Sequence, residues 1–154
     1  MAVSPNTDFT AGQILTATQQ NNFPRGVMGY FISTANHAVT TTLADVTGAS
    51  LTFTAVANRL YKATFSYYIQ QSDAAAQLTI QLTDTTPTVQ NYRVQTNSNN
   101  NGMNAASHTF LFTSTAGSIT RKIRAQLNAG TGTIFGATAD TRFYNFFIED
   151  MGPA

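Results

Sequence analysis

Over AQLTIQLTD the apolar residues Ala76, Leu78, Ile80 and Leu82 alternate strictly with Gln77, Thr79, Gln81 and Thr83. Successive side chains of an extended chain leave opposite faces, so this segment buries one face and wets the other only as a β-strand. The same period runs through RLYKATFSYYI, where Tyr61, Ala63, Phe65, Tyr67 and Ile69 oppose Lys62, Thr64 and Ser66. It returns where Ile119, Ile123, Ala125 and Leu127 oppose Thr120, Lys122, Arg124 and Gln126, and where Leu51 and Phe53 oppose Thr52 and Thr54. Residues 27–32 and 142–148 break the rule by being apolar on both parities, which predicts strands central in a sheet and candidates for neighbours of one another.

Turn-forming residues separate these runs at 33–36, 47–48, 57–58, 72–73, 84–87, 97–104, 116–117, 130–132 and 139–140. Intervals of about 8–16 residues predict an all-β sandwich or barrel with eight to ten strands around one core. A chain of 154 residues is one domain by size. An antiparallel jelly roll, about eight strands folded into two packed sheets, fits the count best. That β-sandwich domain is assigned to residues 25–154.

Residues 1–24 read differently, as an extended N-terminal arm. Pro5, Asp8 and Gly12 interrupt any regular element, and Thr16-Ala17-Thr18-Gln19 then has the spacing of a capping box. A helix of one or two turns is predicted over 17–22, ended by Phe23-Pro24 because a residue before proline avoids the helical region. So short a helix is unstable alone in water and must dock. Its dock is either its own domain or a neighbouring subunit or particle.

Charged residues are only 10% of the chain, threonine fills about one position in six, and Glu149 is the lone glutamate. Burying a paired hydroxyl or amide costs far less than burying a charge, so this surface favours permanent assembly. An apolar share of 42%, with eleven Phe and six Tyr, separates the chain from disordered sequences. The net charge of +1 gives no steering toward nucleic acid or an anionic membrane, and neither is expected as a partner. No Cys is present, which excludes disulfides, thiolate nucleophiles and Cys-ligated metal. No apolar run approaches the roughly 20 residues of a membrane-spanning helix. MAVSPNTDF lacks the pattern of a signal peptide, so synthesis in a cytoplasm without export by that route is expected.

Chemistry has little to work with. Two His, one Glu, six Asp and two Lys are scattered, and GxSxG, HExxH, P-loop and GxGxxG motifs are absent. His108 shares parity with Ala106, Phe110 and Phe112 and is expected to be a hydrogen-bonded core or interface histidine; His37, in a turn, is expected to be solvated. Arg121-Lys122-Ile123-Arg124 is split across two faces and expected to be a solvated strand. Glu149 and Asp150 leave opposite sides of a strand and make a poor Ca²⁺ cage. The polar loop NSNNNGMN, residues 97–104, is either a partnerless turn or a glycan or receptor contact. No enzyme, metal or cofactor is expected.

Two short segments carry a family likeness. FTAGQILTATQQN, residues 9–21, resembles a segment near the N-terminus of many structural proteins of tailed bacteriophages, and FFIEDMGP, residues 146–153, resembles their closing strand. The resemblance implies a virion structural protein, made in the host cytoplasm. A one-domain chain with a docking arm resembles a capsid decoration or cement protein that clamps major capsid subunits. The rival is a tail-fibre or tail-tip module binding a host receptor, with a host-surface glycan as its possible ligand. By analogy with tumour-necrosis-factor-like heads, a homotrimer is expected, with aromatics around a threefold axis. The expected partner-binding residues of the arm are Phe9, Ile14, Leu15, Thr16 and Asn21. The expected subunit-interface residues are Tyr30, Phe143, Tyr144, Phe146 and Phe147.

Overall fold

The computed structural model describes residues 11–12, 14–21, 23–73, 75–86, 89–96 (main chain), 102–136 and 142–154. These residues form one short helix, α1 (Ala17–Asn21), and ten strands. The strands are β1 (Gly26–Ile32), β2 (His37–Val39), β3 (Ala44–Ala55), β4 (Arg59–Gln71), β5 (Gln77–Thr83), β6 (Val89–Thr96), β7 (Met103–Thr113), β8 (Gly117–Leu127), β9 (Gly132–Ile134) and β10 (Asn145–Pro153).

All pairings are antiparallel. In the six-stranded sheet β7 lines one edge of β4, while β10 and then β9 share the other; β1 lies outside β10 and β2 outside β9. The second sheet runs β3-β8-β5-β6. An order of β1-β10-β4-β7 facing β3-β8-β5-β6 makes first and last strands neighbours in one of two packed sheets, which is the antiparallel jelly roll expected from the strand rhythm.

Alternation decides the core. Tyr61, Ala63, Phe65, Tyr67 and Ile69 of β4 face inward at 0–2% exposure, and so do Leu78, Ile80 and Leu82 of β5 at 0%. The rings interlock: Phe65 lies 5.1 Å from Tyr67 and 6.0 Å from Tyr144, and Phe53 lies 5.1 Å from Tyr61. Each fully buried large apolar side chain contributes about 1.5–3 kcal/mol.

Several expectations fail locally. β10 is central, between β1 and β4, but it begins at Asn145 and runs on to Pro153. β1 is its neighbour, as expected, yet stands at the sheet edge. Residues 47–48 are no turn; they lie in β3 where the register shifts between Asp45 and Ser50. Gly48 fits that bulge because its φ is +73° and the Phe31 ring fills the space a Cβ would take. His37 is not solvated: it lies in β2 beside this bulge and is 8% exposed. Arg121 is not solvated either, at 6% exposure with its guanidinium 4.8 Å over the Phe112 ring. Thr83, on the polar parity of its strand, is buried at a register shift. The loop expected over 97–104 ends earlier, since Met103 and Asn104 open β7; residues 97–101 lie outside the described residues.

β4 spans about 40 Å from Arg59 to Gln71 at the rise of an extended strand. It thereby defines two poles. Residues 56–58 and 114–116, the end of the arm and the C-terminus gather at the Arg59 pole, where the Ala154 amide donates to the Asn58 carbonyl at 3.0 Å. Residues 72–73, 75–76 and 128–131 gather at the Gln71 pole.

Candidate functional site

Residues directly opposite one another on paired strands share a face. Val27, Tyr30 and Ile32 of β1 oppose Glu149, Phe147 and Asn145 of β10, which in turn oppose Lys62, Thr64 and Ser66 of β4. Ser107, Ala105 and Leu111 of β7 oppose Ser66, Tyr68 and Lys62. All of these side chains point away from the core, so the outer face of the six-stranded sheet carries an apolar, aromatic surface. Tyr30 is 73% exposed, Val27 59%, Leu111 54% and Ile32 51%. Tyr68, Met103 and Phe143 add to it, and Phe147 is half-buried. Exposed apolar and aromatic side chains gathered on one sheet face make it the candidate interaction surface.

The face is dimpled. One shallow hollow of about 480 Å³ is bordered by Ser66, Tyr68, Ala105, Ser107, Phe143 and Asn145. A second, of about 320 Å³, is bordered by Val27, Tyr30, Ile32, Asn145 and Phe147. Asn145 stands between them with a buried Oδ1 that has no partner within the protomer. The Ser66 and Ser107 hydroxyls pair at 2.8 Å, and Lys62 pairs with Glu149 at 2.6 Å, so the polar groups of this face are largely matched across strands.

The second component is the root of the arm. The capping box forms as read: the Gln19 amide donates to Thr16 Oγ1 at 3.2 Å and the Thr16 amide donates to Gln19 Oε1 at 2.9 Å. α1 nonetheless buries no residue, and Ile14 before it is 89% exposed. What holds this segment is Arg59. Its Nε donates to Asp150 Oδ2 at 2.7 Å, Nη1 to the Asn21 carbonyl at 2.6 Å and Nη2 to the Phe23 carbonyl. Asp150 is also anchored, its Oδ1 accepting the Gly152 amide at 2.9 Å. The ion pair is almost wholly buried, with side chains 5% and 0% exposed. One guanidinium thus ties the last turn of the helix to the first residue of β4 and to β10.

The expected site residues divide. Of the arm residues, Phe9 lies outside the described residues, Ile14 and Leu15 are exposed, Thr16 caps the helix, and Asn21 meets Arg59 through its carbonyl. Of the expected interface residues, Tyr30, Phe143 and Phe147 lie on the outer face. Tyr144 and Phe146 do not: they are 1% and 0% exposed, packed inside their own protomer, with the Tyr144 hydroxyl donating to the Thr47 carbonyl at 2.7 Å. Strand parity separates them, because Phe146 opposes inward-facing Phe65 while Phe147 opposes outward-facing Thr64. Sequence reading missed the Arg59–Asp150 pair, although the signal was present. Arg59 is in phase with Tyr61, and Asp150 with Ile148, so each charge sits on an inward parity.

Among the described residues no three His, Asp or Glu side chains cluster as a metal site would require. His108 is half-buried, with Nε2 3.0 Å from the Tyr67 hydroxyl, and burial pushes the Tyr67 phenol far above its usual range. The His37 Nδ1 lies 3.3 Å from the Thr47 amide, which donates to it, and burial pushes the His37 pKa down. Among the described residues no helix is long and apolar enough to cross a membrane.

No protein-family model matches the chain, and no curated protein matches it. Among solved structures the chain is similar to Eiger TNF from S. frugiperda, with a TM-score of 0.43 and 8% identity over 79% of this chain and 95% of that one. It is similar to a chain of the T13 IBDV viral particle, with a TM-score of 0.39 and 11% identity over 87% of this chain and 37% of that one. It is also similar to the C-terminal CBM6 of LamC from Zobellia galactanivorans, with a TM-score of 0.36 and 9% identity over 77% and 99%. The jelly-roll assignment rests on strand order and pairing, not on these likenesses.

Proposed function

We propose that the protein is a non-enzymatic structural component of a tailed-bacteriophage virion, made in the host cytoplasm and incorporated into the particle. In this reading it is a capsid decoration or cement protein that binds the major capsid protein and stabilises the shell. It acts as a homotrimer, with the outer face of the six-stranded sheet covered by two further copies and the arm reaching the particle. The observation that carries the proposal is the exposed aromatic face of that sheet on an otherwise well-packed jelly roll. Tyr30, Val27 and Ile32 on one edge strand and the small-residue hollow at Ser66, Ala105 and Ser107 on the other side of the same face offer a projection and a recess. Ile14 and Leu15 of the arm, exposed beside a helix that buries nothing, supply apolar surface for attachment.

A ligand that binds only the intact shell stabilises it by mass action. Particles lacking the protein should therefore open at lower temperature or osmotic stress. Deleting residues 1–22 should leave the sandwich folded and abolish decoration; normal occupancy by the truncated protein would reduce the arm to a part of the fold. A second reading, a tail-fibre or tail-tip module on a host receptor, is favoured by the arm's position at one pole, which leaves the Gln71 pole free to project. It predicts intact shells that no longer adsorb to cells, and imaging of particles labelled on this protein separates the two.

A further inference from the structure

We infer that Arg121 anchors a binding site for an acidic saccharide, in a hollow that opens where β5 ends beside β8. β3 flanks β8 as far as Gly117, but β5 stops at Thr83, opposite Lys122. Along that second edge of residues 117–121 no strand follows among the described residues. An edge left this way exposes main-chain N–H and C=O groups and lets inward-facing side chains reach water sideways. Ile119 and Arg121 are the inward residues of this stretch, in phase with Ile123. Both line a hollow of about 390 Å³, whose walls include Asp84 and Thr85 after β5 and Ser114 and Thr115 between β7 and β8.

Arg121 is 6% exposed, and a guanidinium buried that far normally meets a carboxylate. Among the described residues it forms no ion pair. Its three nitrogens differ. Nε is sealed and has no partner, whereas Nη1 donates to the Thr120 carbonyl at 3.0 Å and so holds the group at the rim of the hollow, which Thr120 also lines. Among the described residues Nη2 is neither bonded nor sealed. The Phe112 ring backs the flat face of the guanidinium at 4.8 Å, which leaves the N–H edge for a ligand. Burial pushes the Arg121 pKa down in spite of the Asp84 charge, so that carboxylate does not make good the lost hydration.

These walls select a ligand class. A carboxylate accepts from Nη2 in a charge-assisted hydrogen bond. Asp84 Oδ1 accepts the Thr86 amide and hydroxyl at 2.9 Å each, and a carboxylate takes further donors beyond two. Its charge also repels a ligand with a second negative charge. The other polar side chains of the hollow are hydroxyls, and Ile119 adds an aliphatic patch. A uronic or sialic acid ring carries the matching set: one carboxylate for Arg121, hydroxyls that donate to Asp84 and exchange bonds with Ser and Thr, and an apolar C–H face. A dianionic phosphate meets the Asp84 charge, and a neutral sugar leaves Arg121 without a counter-charge. The site belongs to the single chain and lies off the outer face of the six-stranded sheet, so it needs neither the virion assignment nor the trimer.

NMR titration of the isotope-labelled full chain with methyl β-glucuronide, methyl β-galacturonide and methyl α-N-acetylneuraminide at millimolar concentrations tests this without any particle. Saturable shifts of the amides of residues 118–121 are expected with at least one of these sugars. Neutral methyl β-glucoside and acetate should each bind at least tenfold more weakly. Arg121→Met keeps an apolar stem over Phe112 and removes the buried charge, so it should fold and lose at least tenfold in affinity for the acidic sugar. No saturable shift with any acidic sugar, equal binding of the neutral sugar or of acetate, or binding that survives Arg121→Met would overturn the site. If Arg121→Met fails to fold, Thr115→Trp serves as the second variant, since Thr115 is exposed and a ring there fills the hollow. Loss of the shifts is then expected, and retention counts against the proposal.

Discussion

The two sheets bury similar inner faces yet present opposite surfaces outward. On β3, β8 and β5 of the four-stranded sheet the outward side chains are polar: the Thr52 and Thr120 hydroxyls meet at 2.7 Å, and Asp45 accepts from Lys122 at 3.0 Å and pairs with Arg124 Nε at 3.1 Å. That is the alternation of a sheet with water on one side. On the six-stranded sheet the same positions hold Tyr30, Ile32, Phe147, Tyr68 and Leu111. Both sheets use one fold, one strand period and one core. What differs is the second parity, and the proposed docking face rests on that difference.

The largest expected effect separates the two sides of a single sheet. Phe65→Ala, at 0% exposure, should cost about 3–5 kcal/mol in chemical denaturation, because it leaves a cavity between the sheets. Leu111→Ala on the outer side should change the unfolding of the isolated protomer by no more than about 0.5 kcal/mol. A comparable loss at both positions would end the distinction between core and docking face.

A smaller effect is expected from His37, whose burial beside the β3 bulge lowers its folded-state pKa below the 6.5 of the free side chain. The unfolded chain then binds more protons than the folded one as pH falls below that value. Stability attached to this group is complete above 6.5 and declines as pH falls toward the folded-state pKa. His37→Gln should flatten that acid slope in thermal melts taken between neutral and mildly acidic pH, and an unchanged slope would remove His37 as its origin. The smallest effect belongs to the polar face. Asp45 is half exposed, so Asp45→Asn should cost at most about 1 kcal/mol, and added salt should erase the difference.

Much of this was legible in the sequence because period two is a strong signal where one parity is polar. β4, β5 and β8 could be oriented residue by residue, and the jelly roll followed from strand count and turn spacing. The signal weakens where both parities are apolar. Over 27–32 and 142–148 the pattern does not say which aromatics face the core, so inward-facing Tyr144 and Phe146 look the same in sequence as outward-facing Tyr30, Phe143 and Phe147. A strand covered on both faces and a strand with one face awaiting a partner have the same composition. Buried polar groups were hidden for a different reason. His37 and the Arg59–Asp150 pair sit at strand ends and a bulge, and Arg121 lies within β8, in phase with Ile123; tertiary stacking and pairing remove from water these residues whose type alone suggests solvent. The short helix was the opposite case, since its capping box is a local interaction written in four consecutive residues.

The solution mass of the purified full-length protein at micromolar concentration, measured by light scattering, tests the central claim most directly. Three times the 16.6 kDa of one chain is expected, falling to a single chain when Tyr30→Asp and Phe147→Asp place charge on the outer face of the six-stranded sheet. A parent protein that scatters as one folded chain, or a trimer untouched by that pair of substitutions, would contradict the claim that this face is where the protein meets its own copies.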